Sequence, residues 1–340
     1  MKIVADENIP LLKGVLEPFA EVVYAAGKNI NASLVRDADA LLIRTRTKCD
    51  KELLSNSSVK FIGTATVGTD HIDLDYCAQK NITVYSAAGC NAPAVMQYVI
   101  TALMALAAKH NKDLRNCTLG IIGVGNVGSL VHKAANLLGM QVLLNDPPRA
   151  AREGNGKFIT LDELLHQADI ITLHVPLTKE TESMVNNSFL KKMKENAWLI
   201  NTSRGEVADE TALMQHRAKL EALVLDVWNN EPQINQALLT ATDIGTPHIA
   251  GYSIQGKYKA TTMIVQAFAN FFDIHPLKSF AVQPKVEETS IDLSNNFEET
   301  QKIILKNYPI FKDDNLLRQQ PQSFEQLRNE YQLRNCPKIV

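Results

Sequence analysis

The sequence predicts an α/β fold built on two successive parallel sheets. Two observations carry this. Short apolar runs recur between helix-patterned stretches, as strands buried on both faces require. One of these runs, Thr118–Ile122, leads straight into Gly123-Val-Gly125-Asn126-Val127-Gly128, which opens a helix.

In the first part, strands are expected at Lys2–Ala5, Glu21–Tyr24, Ala40–Ile43, Lys60–Gly63 and Ile82–Tyr85. Asn91 then precedes a long helical pattern through Val95, Val99, Leu103 and Leu106. The polar stretch Asn111–Asn116 reads as a crossing between domains. A second α/β series follows. Its strands are expected at Thr118–Ile122, Gln141–Leu144, Asp169–Leu173, Ala197–Ile200, Ala222–Leu225 and Asp243–Gly245. A helix after the glycine loop runs to about Leu138, and another from about Ser253 to Phe272 returns the chain to the first domain. From Pro276 the composition shifts to Gln, Asn, Lys and Glu with scattered Leu and Phe.

A chain of 340 residues suggests two or three domains. The net charge of -2 implies no basic face, so nucleic acid is not expected as a partner. Acids within the first residues argue against a signal peptide. The longest mostly apolar stretch, Val95–Ala108, reads as too short for a bilayer, so no membrane is expected. Cys49, Cys77, Cys90, Cys117 and Cys336 are scattered without CxxC spacing. No metal site or disulfide framework is expected, and a reducing cytoplasm fits.

The glycine loop is expected to bind a dinucleotide. Gly123 permits the turn, Gly125 lets backbone approach a pyrophosphate, and Gly128 lets helix and strand pack. The helix N-terminus supplies N–H donors to phosphate. Asp146 ends the next strand, where a carboxylate accepts ribose hydroxyls and repels a 2′-phosphate. That favours NAD, with Arg149 and Arg152 leaving NADP as the alternative.

Arg204, Glu231 and His248 follow three successive predicted strands, at the end where α/β sheets bind ligands. Together they supply what taking a hydride and a proton from a hydroxy acid requires. A guanidinium grips a carboxylate or oxyanion. An imidazole accepts a proton near neutral pH. A carboxylate sets its tautomer. Taken singly, Arg204 reads as a surface ion pair, Glu231 as a solvated loop acid and His248 as structural. Asp226 reads equally as a buried structural acid or an acceptor for a nicotinamide carboxamide, and His174 as facing the cofactor or packing. In the loop Thr66–Asp73, N–H groups around Val67 and Gly68 are candidates for a substrate carboxylate, while Asp70 or Asp73 caps a helix. Arg44, Arg46 and Lys48 would share a face if their stretch stays extended, and would then suit a phosphate; the alternative is a solvated loop. Tyr252 and Lys257 are further candidates.

The glycine loop, His174-Val-Pro176-Leu, Asn201-Thr-Ser-Arg-Gly205, Leu225-Asp-Val-Trp-Asn-Asn-Glu-Pro232 and Thr246-Pro-His-Ile-Ala250 together resemble the D-isomer-specific 2-hydroxyacid dehydrogenases over roughly the first 275 residues. The resemblance implies that Arg204 binds and polarises a small hydroxy-acid substrate, with His248 as acid/base and Glu231 as its partner. It implies NAD contacts at Asp146, Val175, Thr202, Ser203, Arg204, Asp226 and Gly251. It implies two Rossmann-like doubly wound parallel-sheet domains: a discontinuous substrate domain of 1–91 and 252–275, and an inserted NAD domain of 92–251. Further segments, among them Ala65–Asp73, Gly89–Ala92, Asn145–Arg149, His248–Tyr252 and Phe324–Tyr331, resemble a branch of that family acting on a phosphorylated hydroxy acid. That branch implies a small C-terminal α+β dimerisation domain at 276–340, a homodimer, and substrate contacts at Thr45, Thr66 and Tyr252. The alternatives are another acid within the same family, such as 3-phosphoglycerate or glycerate, or an NAD(H)-sensing binding protein of the same fold.

Overall fold

The computed structural model describes residues 1–282, 289–293 and 296–340. Its contacts gather into two units, Met1–Asn91 with Ser253–Val286 and Ala92–Tyr252 with Glu287–Val340.

In the first unit, β1 (Lys2–Asp6), β2 (Glu21–Ala25), β3 (Ala40–Ile43), β4 (Phe61–Thr64) and β5 (Thr83–Ser86) form a wholly parallel sheet in the order β2-β1-β3-β4-β5. Every residue of β3 and β4 is buried, which explains their unbroken apolar reading. One core joins Ile3, Leu42 and Phe61 to Ile264 and Phe268 of the helix Ile254–Phe271. The opposite core joins Val4, Leu41 and Ile62 to Val35, Leu54 and Cys77. The late helix therefore does rejoin the first part of the chain. Its start is fixed by Ser253, whose side chain accepts from the Gly256 amide at 3.0 Å.

In the second unit, β6 (Thr118–Ile122), β7 (Gln141–Asn145), β8 (Ile170–Leu173), β9 (Ala197–Asn201), β10 (Leu220–Leu225) and β11 (Ile244–Gly245) are again parallel, ordered β11-β10-β9-β8-β6-β7. The order reverses beside β6, so the glycine loop leaves the sheet at a switch point. The strands fall within two residues of their expected bounds.

Two expectations need correction. The helix Ala92–His110 has 19 residues, long and apolar enough by composition to cross a membrane, but 83% of its apolar window is buried within the protein. A helix apolar all round is a core helix here, packed by Leu103 and Leu106 against Leu119, Ile121 and Val131. The stretch Asn111–Asn116 is not a domain crossing. It lies inside the second unit, with Leu114 fully buried in that same core, and the chain passes between units after Asn91 and after Tyr252.

Of the stretch 276–340, residues 283–288, 294 and 295 lie outside the described residues. Beyond them, β12 (Ser290–Ile291) pairs in parallel with β13 (Lys338–Ile339), and helices span Phe297–Asn307, Ile310–Gln319 and Phe324–Asn329. Ile304, Tyr308 and Ile310 join the core around the helix Ala92–His110. Leu317 and Phe324 join the core on the other side of the sheet. All five cysteines are buried and free.

Candidate active site

The glycine loop is shaped by contacts that a side chain would destroy. Gly123 has φ +86, a left-handed conformation that favours glycine. A Cβ there would lie 2.6 Å from the His174 carbonyl, and one at Gly128 would lie 2.1 Å from the Gly123 carbonyl. A Cβ at Gly125 would meet nothing within 4 Å, so backbone is open to a ligand on that side. The helix Asn126–Leu137 begins at once, with unbonded first-turn N–H groups available to a phosphate.

Asp146 braces this loop. One carboxylate oxygen accepts from the Val124 amide at 2.7 Å, and the other caps the following helix through the Arg149 amide at 2.9 Å. An ionised carboxylate has about four acceptor positions, so ribose hydroxyls can still be received. Arg149 is committed elsewhere: it donates to the Val124 carbonyl at 2.5 Å and grips Glu153 with two donors at 2.8 Å. A residue so engaged is poorly placed to receive a 2′-phosphate, which favours NAD over NADP. The loop, the open Gly125 and the braced carboxylate fit a dinucleotide.

His174 packs. Its ring nitrogens lie 3.0 Å from Thr172 Oγ1 and 3.3 Å from Thr202 Oγ1, linking β8 to the loop after β9, and burial pushes its pKa down to about 3. Val175 lies against Gly123. The side chain of Ser203 is spent locally, donating to Asn201 Oδ1 at 2.7 Å.

Arg204 follows in extended backbone, its carbonyl accepting from Asn201 Nδ2 at 2.9 Å and its own Nη1 donating to the Ser203 carbonyl at 2.8 Å. The next residue, Gly205, sits so close to the Trp228 backbone that a Cβ would lie 2.0 Å from its carbonyl carbon. This contact lays the Arg204 loop directly on the loop that carries Glu231.

Glu231 and His248 meet. His248 Nδ1 lies 2.8 Å from Glu231 Oε2, with side chains 26% and 18% exposed. With a carboxylate as acceptor, Nδ1 carries the proton and Nε2 is left as the acceptor. The second oxygen of Glu231 accepts from the Trp228 amide at 3.0 Å. Burial works to raise the Glu231 carboxyl. The His248 hydrogen bond, the charges of His248 and Arg328, and the Trp228 amide outweigh it, leaving the group below its ordinary value.

His248 itself has φ +57, an uncommon conformation for a residue with a Cβ. Asp226 enforces it. Fully buried, its carboxylate accepts from Thr246 Oγ1 at 2.7 Å, the Ile249 amide at 2.8 Å and the Ala250 amide at 2.9 Å, while its carbonyl takes the His248 amide at 2.8 Å. These bonds give Asp226 a structural role in the turn. Tyr98 and Trp228 extend the brace: the Tyr98 hydroxyl lies 2.7 Å from Thr246 Oγ1, and Trp228 Nε1 donates to the Thr246 carbonyl at 2.9 Å.

The tail also reaches this turn, which the sequence did not signal. Arg334 donates to the carbonyls of Ile249 at 3.0 Å and Ala250 at 2.6 Å. Arg328 donates to the Tyr252 hydroxyl at 3.2 Å and lies 3.6 Å from Glu231 Oε2. Arg334 sits in a polar segment without a recognisable motif, and Arg328 lies within Phe324–Tyr331, where nothing in the residues themselves points to Glu231.

The first unit holds the remaining candidates. The stretch 44–48 is not extended; the Thr47 amide closes a turn onto the Arg44 carbonyl at 3.3 Å. The shared face expected of Arg44, Arg46 and Lys48 is therefore lost, because alternation holds only in a strand. Arg44 donates to the Asn8 carbonyl at 3.1 Å, Lys48 pairs with Asp50 at 2.9 Å, and Thr45 and Arg46 are exposed. In the other loop, Thr66 Oγ1 lies 2.7 Å from Thr64 Oγ1, which also lies 3.3 Å from His71 Nε2. Val67 is exposed and Gly68 partly so, while Asp73 caps the helix Leu74–Gln79 through the Tyr76 amide.

Fold and glycine loop are those of a dinucleotide-dependent oxidoreductase. The sequence model of the D-isomer specific 2-hydroxyacid dehydrogenase NAD binding domain matches residues 92–250. An erythronate-4-phosphate dehydrogenase of Bacteroides thetaiotaomicron is 45% identical, covering 98% of this chain and 97% of its own. One of Cronobacter sakazakii is 40% identical, covering 98% and 92%. Among solved structures, a 3-phosphoglycerate dehydrogenase of Entamoeba histolytica with bound NAD is similar at TM-score 0.70 and 27% identity, covering 83% of this chain and 98% of that one. A D-lactate dehydrogenase of Aquifex aeolicus with NAD and lactic acid gives 0.68 and 28%, covering 82% and 97%. The chain belongs to the D-isomer specific 2-hydroxyacid dehydrogenases, in the group whose members are named erythronate-4-phosphate dehydrogenase. It is an NAD-dependent enzyme of that family.

Proposed function

We propose that the enzyme oxidises 4-phospho-D-erythronate to 2-oxo-3-hydroxy-4-phosphobutanoate with NAD, in the formation of pyridoxal phosphate (vitamin B6). The observation that carries the chemistry is the 2.8 Å contact between His248 and Glu231 beside the Arg204 loop. The names and near-full-length similarity of the relatives support the substrate.

NAD, when bound, accepts the hydride leaving C2 of the substrate. His248, neutral before reaction, takes the C2 hydroxyl proton on Nε2. Glu231 holds Nδ1–H and favours the imidazolium that results. Arg204 holds the substrate carboxylate and the C2 oxygen as its carbonyl forms. The glycine loop from Gly123 to Gly128 receives the pyrophosphate, and Asp146 the adenosine ribose. Val175, Thr202, Ser203 and Gly251 border the cofactor, with Asp226 acting through the backbone it ties. Thr66, Val67, Gly68 and Tyr252 are the candidates for the substrate's hydroxyls and carboxylate, and Arg44, Thr45 and Arg46 for its phosphate. The segment from 276 serves a homodimer, which light scattering of the purified protein tests.

NADH formation with 4-phospho-D-erythronate, beside 3-phosphoglycerate and D-lactate, tests the substrate. A preference for phosphoerythronate of at least about 100-fold in kcat/KM is expected, the scale a dedicated polar contact supports. Turnover only with another acid would overturn the substrate and leave the family unchanged.

A further inference from the structure

The tail meets the turn around His248 through two arginines with different tasks. Arg334 is buried, lies 4.2 Å from the centre of the Tyr308 ring, and takes up the carbonyls of Ile249 and Ala250. It acts on backbone. Arg328 acts on a side chain. Its Nη1 lies 3.6 Å from Glu231 Oε2, the same oxygen that accepts from His248 Nδ1 at 2.8 Å. Its Nε donates to the Tyr252 hydroxyl at 3.2 Å, which fixes the guanidinium in place. One carboxylate oxygen thus serves a permanent cation and an imidazole that is cationic in only one of its states.

We propose that Arg328 is a positioning residue that holds Glu231 against His248 and sets the pH at which the His248–Glu231 pair takes up its proton. This rests on the acid/base reading of His248 given above. Alone, Glu231 would stabilise the imidazolium and keep the proton on the pair to higher pH. A cation on the far side of the same oxygen opposes that. An enzyme oxidising an alcohol needs the neutral imidazole at working pH, and Arg328 supplies the bias. Burial works against the ionised Glu231 and Arg328 is among the groups that offset it, consistent with this arrangement.

The other charged groups around the turn act differently. Asp226 and Arg334, of opposite sign, hold its backbone from behind. Asp313 accepts from the Tyr308 and Tyr331 hydroxyls at 2.8 and 3.0 Å, and Tyr331 stacks edgewise on Tyr252. Arg204 is a further cation at this face, its loop lying on the loop that carries Glu231, and Arg328 is set on Glu231 Oε2 itself.

The test is the pH profile of kcat/KM for the full-length enzyme with NAD and 4-phospho-D-erythronate. In Arg328→Gln the acid limb should move up by about 0.5–1 pH unit, and in Arg328→Lys it should return to within about 0.3 unit of wild type. NADH binding should stay within about threefold in both, because neither change reaches the glycine loop. If Gln prevents folding, Arg328→Met keeps the apolar stem and carries the same comparison. Loss of activity at every pH with the acid limb unmoved would overturn the proposal and leave Arg328 a structural residue. Silence of the wild type on phosphoerythronate would sink the substrate reading and this proposal with it. An active wild type with unmoved variants would sink this proposal alone.

Discussion

Two turns in this enzyme follow buried parallel strands and are held in opposite ways. The turn after β11, Thr246–Tyr252, is tied from all sides. Asp226 takes its hydroxyl and amides, Trp228 and Arg334 take its carbonyls, and Tyr98 meets its threonine. The turn after β3, 44–48, is closed by one long backbone bond and by Thr47 donating to the Gly27 carbonyl at 3.0 Å, with Thr45 and Arg46 exposed. The first turn keeps His248 at φ +57, a conformation costing about 1–2 kcal/mol for a residue with a Cβ. Only an over-determined surround sustains that. The second turn has no residue in the left-handed region and leaves Thr45 and Arg46 exposed. Geometry for chemistry must be rigid, whereas a charge that greets a phosphate acts over a longer range and tolerates motion.

That contrast is tested hardest at His248. His248→Asn should lower kcat by about 10³-fold, the scale of a lost general base, while NADH binding, read by fluorescence, changes by less than about threefold. Turnover surviving within tenfold would mean that the tied turn serves something other than proton transfer. Glu231→Gln leaves the hydrogen bond geometry available but removes the charge. A fall of about 10²-fold in kcat is expected, smaller because the imidazole remains. An equal loss in both variants would make the carboxylate as essential as the base.

A third effect belongs to the cofactor side of the same unit. The folded protein holds His174 with a pKa near 3 through burial, against an ordinary value of 6.5. Its folded value is depressed, so the associated stability is fully present above about pH 6.5. It is lost progressively as pH falls towards about 3, because the unfolded chain takes the proton first. Between about pH 7 and pH 5 this amounts to about 1–2 kcal/mol. His174→Asn should flatten that part of the stability curve in denaturant melts at the two pH values. A variant as acid-sensitive as wild type would show that the loss arises elsewhere.

Much of this molecule is legible in its sequence, for particular reasons. Runs such as Ala40–Ile43 and Leu119–Ile122 carry no polar side chain because both faces are covered, so they can be read without alternation. Gly123 and Gly128 are legible because close backbone contact admits no other residue. What could not be read is long-range pairing. Nothing near Arg328 announces Glu231, 97 positions earlier, and nothing near Arg334 announces the carbonyls of Ile249 and Ala250. Taken by its own neighbours, each is ordinary charge in a polar tail, although the segment Phe324–Tyr331 that holds Arg328 carries part of the family resemblance. The helix Ala92–His110 was legible from Asn91 onward, and only its longest apolar run, Val95–Ala108, falls short of the full helix. The stretch 44–48 failed differently: alternation was assumed beyond the last strand residue, and the chain turned.

The smallest effect expected is at that turn, and it sharpens the comparison most. Arg44 is half-buried with one bond to the Asn8 carbonyl at 3.1 Å, and Arg46 is exposed. If they attract the substrate's phosphate from this loosely tied turn, each should contribute about 0.7–1.4 kcal/mol to binding, the range between an exposed ion pair and a charge-assisted hydrogen bond. Arg44→Gln and Arg46→Gln should then raise KM for the phosphorylated acid about 3- to 10-fold with kcat changed less than about twofold. The penalty should shrink as salt is added, since an exposed charge is screened within about 10 Å at 0.1 M. A fall in kcat at unchanged KM would give this turn the same standing as the one around His248, and the contrast between a rigid and a yielding turn would collapse. An unchanged KM in both variants would move phosphate recognition away from β3 and make Tyr252 and Lys257 the residues to change next.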